Sequence, residues 1–102
     1  MDIVALVDDL MDRSRVSTAL PGTRFTRDAS DLGGADVVIV DLARHGDAVR
    51  VIREQSPAVR IVGFGRHGDR VVLDRAERDG ANAVLARSRF FHDPAAAVDA
   101  TS

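Results

Sequence analysis

The sequence contains no cysteine, lysine, tryptophan or tyrosine. Without cysteine the chain can form no disulfide, no thiol nucleophile and no cysteine-based zinc site. Arginine supplies all 14 basic residues, and with 16 acidic residues the formal net charge is −2. This balance argues against nucleic acid or an anionic membrane as the default partner. Because four phenylalanines are the only aromatic residues, the core must be mainly aliphatic.

The N-terminal segment has no basic region, and its apolar run, Ile3 to Val7, is too short for a signal peptide or a membrane span. These features predict a cytoplasmic protein with no membrane contact. A chain of 102 residues is the size of one domain. We therefore predict a single domain that covers residues 1–102.

Five short apolar runs recur along the chain. They are Ile3 to Val7, Arg24 to Thr26, Val37 to Val40, Arg60 to Val62 with Phe64, and Ala83 to Ala86. The first and third runs are apolar at consecutive positions, not at alternating ones. This pattern is typical of strands whose two faces are both covered by helices.

Amphipathic segments separate these runs. Helical faces are formed by Val16, Ala19 and Leu20, by Ala48, Val51 and Ile52, and by Val72, Leu73 and Ala76, and a short closing helix is predicted from Pro94 to Ala100. The segment from Asp28 to Gly34 is too short for more than a turn or two. The alternation predicts an α/β fold: a doubly wound, flavodoxin-like, five-stranded parallel sheet in the order 2-1-3-4-5, with a truncated second helix.

Three carboxylates lie at the ends of two strands that this topology makes neighbours. Asp8 and Asp9 follow the first strand, and Asp41 follows the third. Gathered carboxylates repel one another unless a hard cation or an arginine lies nearby, and Mg²⁺ suits such a site. The alternative is that these residues only cap helices and support the fold.

The acidic motifs resemble those of response-regulator receiver domains. Val7-Asp8-Asp9 is similar to the acidic pair that ends the first strand of the family, and residues 36–42 (Asp-Val-Val-Ile-Val-Asp-Leu) are similar to its third strand. Residues 79–87 (Asp-Gly-Ala-Asn-Ala-Val-Leu-Ala-Arg) are similar to the turn and strand near the end of the family's domain. The resemblance spans nearly the whole chain.

The resemblance implies a role for each site residue. Asp41 would accept a phosphoryl group, and Asp9, Asp8 and the Ala43 carbonyl would hold Mg²⁺ together with Asp41. Arg87 stands where the family has a lysine, and Gly65 stands where it has a serine or threonine that contacts the phosphoryl group. These two are the candidate phosphate-contacting residues.

These departures predict a degenerate receiver, or pseudo-receiver. Its expected function is that of a stand-alone signalling module of a two-component system, not an enzyme, which acts through protein contacts with phosphorylation at Asp41 weak or lost. The first alternative is a working Mg²⁺-dependent phosphoacceptor. The second is a small nucleotide- or anion-binding domain that uses Gly63-Phe64-Gly65-Arg66-His67-Gly68, a formal G-x-G-x-x-G sequence.

The tetrapeptide Arg-His-Gly-Asp occurs twice, at residues 44–47 and 66–69. Each copy follows a strand and precedes a helix. His45 and His67 could therefore line a ligand or partner site, or the glycine and aspartate could simply form the turn and cap the helix.

A basic and aromatic segment follows the fifth strand. Arg89, Phe90 and Phe91 are candidates for a surface that binds an unidentified protein partner, or a second copy in a homodimer. The alternative is that one or both phenylalanines fill the core beneath the last helix.

Overall fold

Five parallel strands form the centre of the molecule, which is described here by a computed structural model covering residues 1–99. The strands are β1 (Ile3–Leu6), β2 (Arg24–Phe25), β3 (Val37–Asp41), β4 (Arg60–Gly65) and β5 (Ala83–Ala86). Their order in the sheet is β2-β1-β3-β4-β5, and every neighbouring pair is parallel. The predicted doubly wound parallel sheet is confirmed.

The consecutive apolar residues of β3 are buried on both faces of the sheet. Val38 and Val40 contact one half of the core, whereas Val37 and Ile39 contact the other. Successive side chains of a strand point to opposite faces. A strand covered on both sides must therefore be apolar throughout, and this explains the pattern seen in the sequence.

Helices cover both faces. They are α1 (Leu10–Ala19), α2 (Leu42–His45), α3 (Ala48–Gln55), α4 (Arg70–Arg78), α5 (Arg87–His92) and α6 (Pro94–Val98). Core residues of α2, α3 and α4 pack on one face of the sheet, and those of α1, α5 and α6 pack on the other.

Several elements differ from the sequence predictions. The predicted truncated second helix is reduced to turns and bends between β2 and β3, whereas α2 and α5 were not predicted. In α3 the buried positions are Val49 and Ile52, and Val51, predicted to face inward, is 42% exposed. The predicted closing helix ends at Val98, and its last predicted residue, Ala100, lies outside the described residues.

Within residues 1–99, no helix combines the length and the apolar character required to cross a membrane.

Candidate functional site

The carboxyl ends of the strands bring most of the predicted site residues to one edge of the sheet. Asp8 and Asp9 follow β1, Asp41 ends β3, Gly65 ends β4 and Arg87 follows β5. Along this edge, Asp41 lies opposite Phe64, and Gly65 lies opposite Ala86. Ligands of open α/β sheets bind at this edge.

Asp41 is nearly inaccessible to solvent. Its relative exposure is 4%, and its Oδ1 accepts a hydrogen bond of 3.2 Å from the backbone N–H of Ala43, which caps α2. Burial disfavours the charged form and raises the pKa of Asp41 above its ordinary value, although the Ala43 N–H and the charge of Arg87 act against this shift.

Asp8 is held by a histidine and an arginine. Its Oδ1 lies 3.0 Å from His45 Nε2 and 3.6 Å from Arg27 Nε. Because a carboxylate can only accept a hydrogen bond, His45 Nε2 carries the proton that it shares with Asp8. The hydrogen bond from His45 is the main reason why the pKa of Asp8 lies below its ordinary value, against the opposing effect of burial.

Asp9 and Asp12 are connected by a hydrogen bond at the N-terminus of α1. Asp9 Oδ1 accepts a hydrogen bond of 3.0 Å from the backbone N–H of Asp12, so Asp9 is the N-cap of the helix. Asp12 was not predicted as a site residue. The spacing of Asp12 from Val16 could have indicated that Asp12 faces inward, because residues four apart share a helix face and Val16 is fully buried.

Arg87 provides a positive charge at this edge of the sheet. Its Nη2 donates to Asp12 Oδ1 at 2.8 Å and to Oδ2 at 3.1 Å. The guanidinium carbon also lies 5.3 Å from the ring centre of Phe64 and 5.2 Å from that of Phe91. The bond to Asp12, followed by the charges of Asp12, Asp41 and Asp9, raises the pKa of Arg87 beyond its already high value.

The donor set does not fit Mg²⁺. Residues 1–99 contain no group of three or more acidic, histidine or cysteine side chains arranged to hold a metal ion. Ala43, predicted as a carbonyl ligand, lies in α2, and its backbone N–H donates to Asp41 Oδ1. Asp8 and Asp9 are each bonded to a group of the protein itself, with which a metal ion would have to compete. The ligand set of Asp8, Asp9, Asp41 and Ala43 stays a prediction.

Two of the three glycines of the G-x-G-x-x-G sequence, Gly63 and Gly65, serve packing. Gly63 and Gly65 lie within β4 and not in the loop after it. A Cβ atom on Gly63 would lie 2.9 Å from both Leu42 Cδ atoms, and one on Gly65 would lie 3.1 Å from Leu73 Cδ2. Leucine side chains therefore occupy the space beside these two glycines, and the nucleotide- or anion-binding alternative stays a prediction.

The two Arg-His-Gly-Asp segments have different structures. In the first, Arg44 and His45 belong to α2, and Asp47 forms an ion pair of 2.7 Å with Arg75 without capping α3. In the second, residues 66–69 form a loop, His67 is exposed, and Asp69 caps α4 through a weak 3.4 Å bond. We call the edge formed by Asp8, Asp9, Asp12 and Asp41 the acidic edge. Of the two histidines, only His45 contacts it, through Asp8.

The predicted partner surface is partly internal. Phe90 is fully buried and stacks on Phe64 with ring centres 4.9 Å apart, so it cannot anchor a partner. Phe91 is half-buried, and Arg89 is exposed. The alternative, that the phenylalanines fill the core, is confirmed for Phe90.

No protein-family model and no curated protein sequence matches the chain. Solved structures do resemble it. The receiver domain of NtrX from Brucella abortus superposes with a TM-score of 0.77 and 20% identity, over 98% of this chain and all of that one. A response regulator receiver domain protein from Clostridium thermocellum gives a TM-score of 0.78 and 19% identity, over 95% and 90% of the two chains.

A longer NtrX structure from Brucella abortus, in complex with ADP, matches with a TM-score of 0.73 and 22% identity over 84% of this chain, which spans only 23% of the length of that protein. At these identities the likeness concerns the fold. The chain has the fold of response-regulator receiver domains.

Proposed function

We propose that this protein is a regulatory module of two-component signalling that acts through protein contacts, with phosphorylation of Asp41 weak or lost and with no enzymatic activity of its own. The receiver fold supports the signalling role. The state of the acidic edge supports the loss of phosphorylation.

One observation carries the proposal. In the receiver scheme, a cation at the position of Arg87 balances the charge of the transferred phosphoryl group. Here Arg87 is bonded to Asp12 through both carboxylate oxygens. A phosphoryl group on Asp41 would therefore have to compete with Asp12 for this cation.

Two further features act in the same direction. The nucleophilic form of Asp41 is its carboxylate, which burial disfavours. Gly65 has no hydroxyl group with which to bind a phosphoryl oxygen and report its arrival. Burial thus acts against phosphoryl transfer to Asp41, and the missing hydroxyl group acts against the readout of that transfer.

The protein partner would meet the side of the molecule formed by β5 and α5. Arg89 is exposed there, beside a hollow of about 560 Å³ that is lined by Leu85, Ser88, Arg89, His92, Asp93, Ala96 and Ala97. If the partner is a second copy, sedimentation equilibrium will give a dimer that Arg89→Glu weakens. A monomer at all concentrations would leave a different protein as the partner.

Incubation with acetyl phosphate and Mg²⁺, followed by intact-mass spectrometry, tests the loss of phosphorylation. We expect the unmodified mass to dominate in the native protein, as in the Asp41→Asn variant. Stoichiometric gain of one phosphoryl group that Asp41→Asn abolishes would contradict the proposal and would support the Mg²⁺-dependent phosphoacceptor instead.

A further inference from the structure

The acidic edge contains a cation that belongs to the protein. Arg87 extends from the start of α5 to Asp12 on α1, 75 positions earlier in the chain. Only 7% of the Asp12 side chain is exposed, whereas 38% of the Arg87 side chain is exposed. A carboxylate this buried needs a paired charge, and Arg87 supplies it.

Two aromatic rings fix the guanidinium in place. Phe64 and Phe91 each have a ring centre within 5.3 Å of the Arg87 guanidinium carbon. Phe64 is fully buried, so the ring offers a fixed surface. Cation–π contacts of this kind hold an arginine in one position and reduce the entropy lost on pairing.

The charge of Arg87 also acts on other carboxylates of the edge. The charges of Asp12, Asp41 and Asp9 all stabilise its protonated form and contribute to its raised pKa. Asp8 is held separately by the hydrogen bond with His45 and by the charge of Arg27. Each of these four carboxylates also forms a hydrogen bond with a group of the protein itself.

We propose that Arg87, aided by His45 and Arg27, takes the place of a divalent cation at the acidic edge, so that the protein neither requires nor binds Mg²⁺ there. Mg²⁺ gives up its water reluctantly and would have to displace bonds that already exist. This charge balance goes beyond the proposed function, because it does not depend on which protein the domain binds.

The inference predicts that loss of the internal cation creates Mg²⁺ affinity. In Arg87→Met, the carboxylates of Asp12, Asp41 and Asp9 lose their shared cation, and a bound metal would relieve their repulsion. We expect the affinity for Mg²⁺ to rise at least about tenfold over that of the native protein, and the thermal midpoint to increase with ligand concentration as linkage requires.

The experiment compares thermal midpoints and amide NMR shifts in MgCl₂ with those in NaCl of equal ionic strength. The matched control is Arg70→Met, which removes an exposed arginine of α4 paired with Asp74. The native protein and this control should respond equally to the two salts. Arg87→Met should respond selectively to MgCl₂, with saturable shifts at Asp9, Asp12 and Asp41.

A double variant, Asp12→Asn with Arg87→Met, removes both partners of the pair and should show a weaker Mg²⁺ response than Arg87→Met alone. If Arg87→Met does not fold, His45→Leu decides the question, because it removes the donor to the part-buried Asp8 and should produce a saturable Mg²⁺ shift there. Saturable Mg²⁺ shifts in the native protein, or no gain in any variant that folds, would overturn the inference. Neither result depends on acetyl phosphate labelling, so the proposed function is tested separately.

Discussion

At the scale of single residues, Asp41 and Asp8 end neighbouring strands, but their surroundings act on their charge in opposite directions. Burial raises the pKa of Asp41, and the His45 hydrogen bond lowers that of Asp8. An acid whose native pKa is raised destabilises the fold once it ionises. An acid whose native pKa is lowered stabilises the fold in its ionised form.

Asp41→Asn should therefore stabilise the protein at neutral pH, because the amide still accepts the Ala43 N–H bond and carries no buried charge. The gain should shrink as the pH falls through the raised native pKa of Asp41 toward the unfolded value near 3.8. Urea unfolding monitored by far-UV circular dichroism at several pH values measures this difference. A gain that does not vary with pH would show that the charge is not its source.

Asp8→Asn is the control, because it should change the free energy of unfolding in the opposite direction. It should destabilise the protein above pH 3.8, and the loss should disappear as the pH falls through the lowered native pKa of Asp8. Equal pH profiles for the two variants would contradict the assignment of opposite environments.

The space beside Gly63 yields a second prediction at this scale. Gly63→Ala would place Cβ 2.9 Å from two carbons of Leu42 and should cost about 1–3 kcal/mol of the free energy of unfolding. Gly68→Ala, which has no atom within 4 Å of its new Cβ, should change this free energy by less than about 1 kcal/mol. In a double-mutant cycle, Leu42→Ala should recover part of the Gly63→Ala loss, and strict additivity would refute the clash.

At the scale of elements, Arg53 connects the end of α3 to the loops that enter β4 and β5. Its guanidinium donates to the carbonyls of Pro57 at 2.7 Å, Val59 at 2.8 Å and Gly80 at 2.9 Å, and to Asn82 Oδ1 at 2.6 Å. Gly80 has a φ of +113°, and a Cβ there would lie 2.9 Å from Arg53 Cγ. The loop is therefore shaped around this arginine.

Arg53→Met should lower the free energy of unfolding by at least about 2 kcal/mol, because it leaves several part-buried carbonyls without a donor. The control is Arg50→Met on the same helix, whose exposed pair with Glu54 should contribute at most about 0.5 kcal/mol. Urea unfolding of both variants measures the difference. Losses of similar size would show that Arg53 acts only through its helix propensity.

The strands were more predictable than the helices around the site. Consecutive apolar residues mark β1 and β3 because both faces are buried. By contrast, α2 has only four residues, which is too few for a helical period, and α5 begins without a side-chain cap. The pairing of Asp12 with Arg87 depends on the completed topology, so no local pattern could predict which carboxylate would take the arginine.

At the scale of the whole molecule, one sheet separates two halves of the core, and each half depends on the same strands. Val38 and Val40 of β3 belong to one half, and Val37 and Ile39 belong to the other. We therefore predict that the chain unfolds as a single cooperative unit. The transitions seen by far-UV circular dichroism and by methyl NMR signals from each half should coincide in urea, with a slope of roughly 1–3 kcal/mol/M. Two separate transitions would contradict the single-domain prediction.

The phenylalanines are distributed unequally between these halves. Phe25, Phe64, Phe90 and Phe91 all belong to the half that contains α1, α5 and α6, and the other half is aliphatic. Ring currents will therefore displace methyl resonances on one side of the sheet only. Phe64 and Phe91 are the rings that flank Arg87, so the shifts of the displaced signals will report a change in the position of Arg87. The methyl signals of the aliphatic half provide an undisturbed reference in the same spectrum.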